Sequence, residues 1–268
     1  MNLSMYTAYA RGLDRDNPAR IFRHFYEKGV RFGDIIDDEL NEIGLSDYCK
    51  NLKDAGIIPE ALVVTTDIVT AENVEENLVF VYKHIDEMQK QGVHMLMAAP
   101  AVRSARTEEE FFALREKMVD SFGKVIDYAK GSDVTVMIEN QSVSVRPDSK
   151  ISDIRYLLDS LPKMKFVLDS GNFYCVGEDV ACAYEVLKDR LVHSHVKDWR
   201  TNPFGTMIRE NLPRFEGCAI GGGILPLAKL LKKMKSDGYR GNIVLEVNAC
   251  DITLDVLNKS CDFLMKHI

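Results

Sequence analysis

The stretch Leu191-Val-His-Ser-His-Val-Lys-Asp-Trp199 is a largely apolar, strand-like run that carries titratable side chains at three alternate positions. Side chains alternate between the two faces of an extended chain. His193, His195 and Lys197 therefore share one face, and the residues between them share the other. A strand of this kind packs one face into a core and delivers its polar end to a site.

Three other apolar runs in the second half of the chain end in a carboxylate. They are Val134-Thr-Val-Met-Ile-Glu139, Met164-Lys-Phe-Val-Leu-Asp169 and Asn242-Ile-Val-Leu-Glu246. Together with the first stretch, four predicted strand ends supply one imidazole and three carboxylates. Whether these four groups converge decides what the chain can do.

The whole chain alternates between strand-like and helix-like segments. The predicted strands cover residues 3–8, 32–37, 58–65, 93–99, 134–139, 164–169, 191–199 and 242–246. The predicted helices cover residues 19–28, 46–55, 72–91, 108–130, 151–161, 179–188, 226–236 and 251–266. Strict alternation implies parallel strands with helices outside them.

Eight such units predict an α/β fold, a (β/α)8 TIM barrel that spans residues 1–268 as a single domain. The length of 268 residues and the apolar fraction of 46% suit a core of that size. Residues 200–223 are predicted to form a long loop. An open doubly wound sheet is the alternative, but Ala8-Tyr-Ala-Arg-Gly12 lacks the phosphate-binding G-x-G-x-x-G that such a sheet carries after its first strand.

Charge and cysteine content narrow the class of protein. The net charge of −7 gives no global attraction to nucleic acid or to acidic membranes. The chain has no run of 18 apolar residues, and its first residues lack the basic and apolar regions of a signal peptide, which predicts a cytoplasmic protein. The six cysteines are scattered without a C-x-x-C pair, as is typical of reduced thiols.

The four strand ends predict a metal site. Catalytic residues of a (β/α)8 barrel lie at the carboxyl ends of its strands. Three carboxylates and an imidazole gathered there would repel one another unless a cation lay among them. One divalent ion resolves this conflict, and the oxygen-rich ligand set favours Mn²⁺ or Mg²⁺, with Co²⁺ and Zn²⁺ as alternatives. The predicted ligands are Glu139, Asp169, His195 and Glu246.

Simpler interpretations apply to each residue taken singly. An acid at a strand end is commonly a helix cap or a solvated loop residue, and a His-x-His pair is as often a hydrogen-bonded core pair. His193 lies one pleat deeper than His195, so we expect it to orient neighbouring groups. Lys197 and Asp198 are interpreted either as groups near the substrate or as a surface pair.

The chain resembles the sugar phosphate isomerase/epimerase superfamily of xylose isomerase-like TIM barrels. The resemblance rests on motifs in the second half of the chain, and the first half matches in architecture. The motifs are Met137-Ile-Glu-Asn140, Leu168-Asp-Ser-Gly-Asn172, Val192-His-Ser-His-Val-Lys-Asp198, Ile220-Gly-Gly-Gly223 and Gly238-Tyr-Arg-Gly-Asn-Ile-Val-Leu-Glu246.

The resemblance implies a metal-dependent isomerase or epimerase acting on a small sugar, keto-sugar or sugar phosphate. Glu139, Asp169, His195 and Glu246 would bind the metal, and the two glutamates would act as the acid/base pair around a metal-stabilised enediolate. The implied partner is a small-molecule carbohydrate, with neither nucleic acid nor membrane. The sequence does not determine the oligomeric state, and a homo-oligomer is one of the possibilities.

Two positions depart from the ketose 3-epimerase pattern. Asn172 stands where those enzymes usually carry a histidine, and Gly221-Gly-Gly223 replaces their Gly-Glu-Gly. Lys197-Asp198 is more similar to the dehydratase and isomerase branches. Asn172, His193 and Lys197 are accordingly the predicted substrate-binding residues. Arg209 and Arg214 are interpreted either as phosphate ligands or as solvated loop residues.

Three alternatives stay open at this point. The first is an inosose dehydratase-like lyase that uses the same metal site. The second is an AP endonuclease similar to endonuclease IV, although the third and fourth strands end in Val64-Thr-Thr-Asp67 and Ala98-Ala-Pro100, without the further histidines of a trinuclear site. The third is a non-catalytic sugar-binding barrel.

Overall fold

A computed structural model describes residues 1–41, 43–208, 213–249 and 252–268 of the chain. Its strands, in chain order, are β1 (Asn2–Tyr6), β2 (Phe32–Ile36), β3 (Ile58–Thr65), β4 (Met95–Ala99), β5 (Thr135–Glu139), β6 (Lys165–Asp169), β7 (Leu191–Val196), β8 (Asp198–Thr201), β9 (Phe215–Cys218) and β10 (Asn242–Leu245). Strands β1 to β7 and β10 pair in parallel and close into a barrel.

Helices connect the strands of this barrel. They are α1 (Ala8–Leu13), α2 (Pro18–Glu27), α3 (Gly44–Asp54), α4 (Val74–Gln91), α5 (Glu108–Tyr128), α6 (Ile151–Ser160), α7 (Ser170–Cys175), α8 (Val180–Leu187), α9 (Leu227–Ser236) and α10 (Leu254–His267). The predicted (β/α)8 fold is confirmed. No helix in the described part of the chain combines the length and the apolar composition that crossing a bilayer requires.

The helix α4 shows why the sequence pattern was informative. Its apolar side chains recur at helical spacing and are buried against the barrel, with Leu78, Val81 and Met88 fully covered. The helix ends at Gly92, whose φ of 69° lies in the left-handed region that favours glycine. Most of the outer helices were predicted from the same two features, an apolar face at helical spacing and a glycine just after the last turn.

The chain after β7 differs from the prediction. β7 ends at Val196 rather than at Trp199, and the predicted loop of residues 200–223 contains part of an antiparallel pair, β8 with β9. Asp198 explains the turn: its Oδ1 accepts from Leu225 N at 3.2 Å, and its Oδ2 accepts from Gly223 N at 2.9 Å. These bonds tie the start of β8 to residues 223–225, which follow β9, a contact that a prediction from periodicity does not detect.

Two short helices were also absent from the prediction. In α7 the side chain of Asp169 accepts a hydrogen bond from Asn172 N at 2.7 Å, so the carboxylate that ends β6 also caps the next helix. α1 follows β1 directly after Thr7. Helices of six residues bury too few side chains to leave a clear periodic pattern.

Candidate metal centre

The four predicted ligands converge. Glu139, Asp169, His195 and Glu246 each offer a ligand atom, and these atoms lie within 4.8 Å of one another. Glu139 and Asp169 are the last residues of β5 and β6, His195 is near the end of β7, and Glu246 follows β10. The register places Asp169 and Val244 beside His195, which brings Glu246 one pleat above it. The four residues form a candidate metal site.

His195 presents its two ring nitrogens to different groups. Nδ1 lies 2.5 Å from Glu139 Oε1 and 3.3 Å from Glu246 Oε2, whereas Nε2 lies 3.4 Å from Asp34 Oδ2. Burial disfavours the imidazolium, yet Glu139 and the hydrogen bond to Asp34 raise the pKa of His195 well above its ordinary value. The nitrogen that faces the carboxylates is thus the one suited to a metal, with Nε2 oriented by Asp34.

Lys197 lies among the same carboxylates. Its Nζ is 2.7 Å from Asp169 Oδ2 and 2.8 Å from Glu246 Oε1, and the side chain is 7% exposed. Burial works against its charge, but Asp169 and Glu246 raise the pKa of Lys197 well above its ordinary value. The lysine therefore supplies one positive charge to the cluster. Because its side chain is buried, Lys197 does not form a surface pair with Asp198.

The cluster is still short of positive charge and of hydrogen-bond donors. Asp169 Oδ2 and Glu246 Oε2 are buried and are held by ion pairs alone, from Lys197 Nζ at 2.7 Å and from His195 Nδ1 at 3.3 Å respectively. Burial and the neighbouring carboxylates raise the pKa of Asp169 to about 8. Burial alone would raise that of Glu246 also, but Lys197 and His195 lower the pKa of Glu246 to about 2. Three carboxylates gathered around one imidazole, with two buried oxygens held by ion pairs alone, fit a divalent cation, which would balance the remaining charge.

A second cluster lies on the other side of His195. Asp34 accepts from Ser4 Oγ at 2.7 Å and from His193 Nε2 at 2.6 Å, and all of these side chains are fully buried. Burial disfavours its ionisation, yet His193 and His195 hold the pKa of Asp34 below its ordinary value. His193 thus contacts Asp34 and orients this inner layer, and its predicted contact with substrate stays a prediction.

Asp34 was missed by the sequence reasoning. The signal was present, because an acid stood inside the apolar strand Phe32-Gly-Asp-Ile-Ile36. A register shift between Gly33 and Asp34 in the pairing with β3 accompanies its position in the barrel. Sequence spacing gives no access to such a bulge, so the side chain could not be assigned to a face.

Asn172 belongs to a hydrogen-bond network around the candidate ligand Asp169. Its Nδ2 donates to Asn140 O at 2.9 Å, and Asn140 in turn accepts from Asp169 N at 2.8 Å and donates to Asp169 O at 3.1 Å. Asn172 N also donates to Asp169 Oδ1. The bond from Asn172 N orients the Asp169 carboxylate, and the bonds with Asn140 hold the Asp169 backbone. The predicted substrate contact of Asn172 stays a prediction.

The loop residues have structural partners. A Cβ at Gly223 would collide with the Asp198 carboxylate, which explains why glycine stands there. Asp198 caps backbone N–H groups of this loop and is a structural residue. Arg214 Nη1 donates to Gly205 O at 3.4 Å, and Arg209 lies outside the described residues.

A cavity of about 580 Å³ opens above the centre. Its polar wall includes Glu139 and Glu246 together with side chains that sequence reasoning did not assign, namely Tyr6, Gln141 and Arg146. The first half of the barrel supplies most of its apolar wall, including Ile36, Val63, Met97, Ala99 and Pro100. The cavity is thus polar on the side of the candidate ligands and apolar on the opposite side.

Comparison with known proteins agrees with this architecture. A sequence model for the family described as xylose isomerase-like TIM barrels matches residues 32–267. No curated protein matches the chain significantly.

Similar solved structures share the fold at low identity. The IOLI protein, solved with a zinc atom bound, is 17% identical, covers 100% of this chain and 99% of its own, and has a TM-score of 0.78. The probable 3-DHS dehydratase AsbF of Bacillus anthracis is 13% identical over 99% of both chains, with a TM-score of 0.79. The D-allulose 3-epimerase of Methylomonas sp. is 15% identical over 100% of this chain and 98% of its own, with a TM-score of 0.75.

Proposed function

The chain belongs to the xylose isomerase-like TIM barrel family, and we propose that it is a divalent-metal-dependent isomerase or epimerase of a small sugar or keto-sugar. The convergence of Glu139, Asp169, His195 and Glu246, with two buried carboxylate oxygens lacking hydrogen bonds, carries this proposal. The isomerase and epimerase chemistry of similar barrels, including the D-allulose 3-epimerase, supports it.

The four residues would hold the ion, with His195 contributing Nδ1. When bound, a divalent ion polarises a carbonyl and its neighbouring hydroxyl and stabilises the negative charge that develops when the adjacent carbon loses its proton. The oxygen-rich ligand set favours Mn²⁺ or Mg²⁺, while the zinc of the IOLI protein keeps Zn²⁺ in consideration.

The chain's own residues would move the proton. Glu139 and Glu246 both line the cavity, and in the proposal one carboxylate removes a proton from the substrate carbon while the other returns it. Gln141 Nε2 lies 3.4 Å from Glu139 Oε2 and orients that carboxylate. Asp34 orients His195, and Asn172 with Asn140 orients Asp169. The apolar wall limits the access of water to the reacting carbon.

A lyase is the second candidate, because Lys197 offers an ammonium beside the acid/base carboxylate. Its Nζ lies 2.8 Å from Glu246 Oε1 and would donate a hydrogen bond to a hydroxyl that leaves as water, the proton coming from the carboxyl group that took it from carbon. The similar fold of a probable 3-DHS dehydratase is consistent with this alternative. Both reactions begin with removal of a proton from carbon, so one assay covers the two.

The test follows that proton. Purified protein would be loaded with Mn²⁺ and incubated in D₂O with a panel of keto-sugars and cyclitols, with solvent deuterium incorporation followed by NMR. We expect Mn²⁺-dependent exchange that is lost in Glu139→Gln and retained in Glu76→Gln, a matched change at an exposed residue of α4. Failure of the wild-type protein to bind Mn²⁺, Mg²⁺, Co²⁺ or Zn²⁺ would refute the proposal.

A further inference from the structure

The loop between β5 and α6 holds an arginine in a fixed position beside the centre. Gln141 N donates to Asp148 O at 2.7 Å, Arg146 N donates to Val143 O at 3.1 Å, and Ser149 Oγ donates to the same carbonyl at 2.6 Å. These bonds close the loop on itself. The side chain of Arg146 is 13% exposed, so it is ordered by the protein and not by solvent.

One edge of the Arg146 guanidinium is fully engaged. Nε donates to Asp148 Oδ1 at 3.0 Å, and Nη2 donates to Asp148 Oδ2 at 2.7 Å and to Pro100 O at 2.7 Å. Asp148 is fully buried. Bidentate pairing of this kind fixes the plane of a guanidinium. Among the described residues, none accepts a hydrogen bond from Nη1, and Arg146 lines the same cavity as Glu139 and Glu246.

The charge of the guanidinium is already compensated. Asp148 carries the matching negative charge in a buried pair. At the metal centre, a divalent ion and the Lys197 ammonium would together balance Glu139, Asp169 and Glu246. A substrate carboxylate or phosphate in this cavity would add negative charge beside three carboxylates without a free cation among the described lining residues.

We propose that Arg146 is a specificity residue whose Nη1 donates to an uncharged oxygen, a hydroxyl or carbonyl, at the part of the substrate that the metal centre does not hold. This inference rests on the proposed function and narrows its substrate class from sugars and sugar phosphates to unphosphorylated polyols and keto-sugars. Removing the donor weakens substrate binding and leaves metal binding intact, because Arg146 forms its hydrogen bonds and its ion pair with Asp148 and Pro100 and not with the candidate ligands.

The experiment separates metal binding from polyol binding. Isothermal titration of the wild-type protein with Mn²⁺ comes first, and failure there refutes the proposed function rather than this inference. The Mn²⁺-loaded protein is then titrated with ribitol, ribonate and ribitol 5-phosphate, which differ only in the group at one end, a neutral hydroxymethyl, a carboxylate or a phosphate ester. We expect ribitol to bind about tenfold or more tightly than either anion.

Variants assign the effect to Arg146. In Arg146→Gln we expect ribitol affinity to fall about tenfold with Mn²⁺ affinity unchanged. Because that change leaves a buried carboxylate unpaired, the double variant Arg146→Gln with Asp148→Asn serves where the single variant does not fold, and it should lose ribitol affinity equally. Arg23→Gln, an exposed position on α2, is the matched control.

Three results would overturn the inference. Unchanged ribitol affinity in the folded variants would remove Arg146 from the site. Tighter binding of ribonate or ribitol 5-phosphate, lost in the variants, would make Arg146 an anion ligand. Binding of Mn²⁺ without binding of any of the three probes would exclude the polyol class.

Discussion

Two buried clusters of titratable residues share His195, and they differ in how their charges are satisfied. On the inner side, both carboxylate oxygens of Asp34 accept hydrogen bonds, from Ser4 and from His193. On the outer side, Asp169 and Glu246 each keep a buried oxygen that accepts none. The Asp34 carboxylate is thus satisfied by protein atoms, although His193 Nδ1 in the same cluster is buried without a hydrogen bond, whereas in the outer cluster it is carboxylate oxygens that lack hydrogen bonds. The same residue types are therefore hydrogen-bonded partners in one layer and, in the proposal, metal ligands in the next.

The largest effect should come from a ligand of the outer cluster. We expect Asp169→Asn to weaken Mn²⁺ binding by more than about 100-fold. Loss of a residue that only hydrogen-bonds to a metal ligand already lowers metal affinity by about 10–100-fold, and loss of a ligand itself should cost more. The metal-free variant should be at least as stable as the wild-type protein, because one of three crowded carboxylates is gone. Titration calorimetry and urea unfolding measure the two quantities. A variant that binds Mn²⁺ normally would contradict the role assigned to the outer cluster.

A change in the inner cluster should destabilise the metal-free protein, unlike the change in the outer cluster. Asp34→Asn replaces a carboxylate that accepts from both Ser4 and His193, so the metal-free protein should lose about 3 kcal/mol of unfolding free energy. Since His195 loses the partner of Nε2, Mn²⁺ affinity should fall about 10–100-fold. Ser4→Ala is the control: it removes one hydrogen bond to Asp34 and should leave Mn²⁺ affinity near that of the wild-type protein. Equal losses of affinity in both variants would show that Asp34 acts through folding alone.

The difference between the clusters also explains what sequence could predict. Glu139, Asp169 and Glu246 each end an apolar run, and barrel topology brings such ends together, so the outer cluster was predictable from spacing. Asp34 lies inside a strand beside a register shift. Its neighbours are set by barrel closure, which pairs residues far apart in the chain. Sequence periodicity carries no information on that shift.

Contacts between loops are the second feature that the sequence could not predict. Arg146 and Asp148 belong to a segment without strand or helix periodicity, and their pairing depends on Pro100 from another loop. Asp198 of β8 likewise binds backbone N–H groups of the segment that follows β9, which residue type alone does not reveal. The strand ends and most helix spans were thus predictable, whereas contacts between loops were not.

Metal should stabilise the fold through the outer cluster. If Mn²⁺ binds only the folded state, a free Mn²⁺ concentration of about 100 times the dissociation constant adds about 2.7 kcal/mol to the unfolding free energy. For a chain of this size that corresponds to a rise in melting temperature of roughly 5–10 °C. Scanning calorimetry with Mn²⁺ and with EDTA measures the rise. We expect none in Asp169→Asn, and an equal rise in that variant would place the ion elsewhere.

The smallest effect concerns pH and the metal-free protein. The pKa of Asp169 is raised from 3.8 to about 8, so as pH rises through this range the unfolded chain loses the proton before the folded chain does. This residue therefore makes the metal-free fold progressively less stable between those two values, with no further loss above about 8. Glu246 adds no opposing slope at about pH 6 and above, because its pKa is lowered to about 2 and that of an unfolded glutamate is 4.5, so it is ionised in both states there. Urea unfolding without metal at about pH 6 and about pH 8 should show the decline in the wild-type protein and a weaker one in Asp169→Asn. Parallel declines in the two proteins would mean that another group carries the slope.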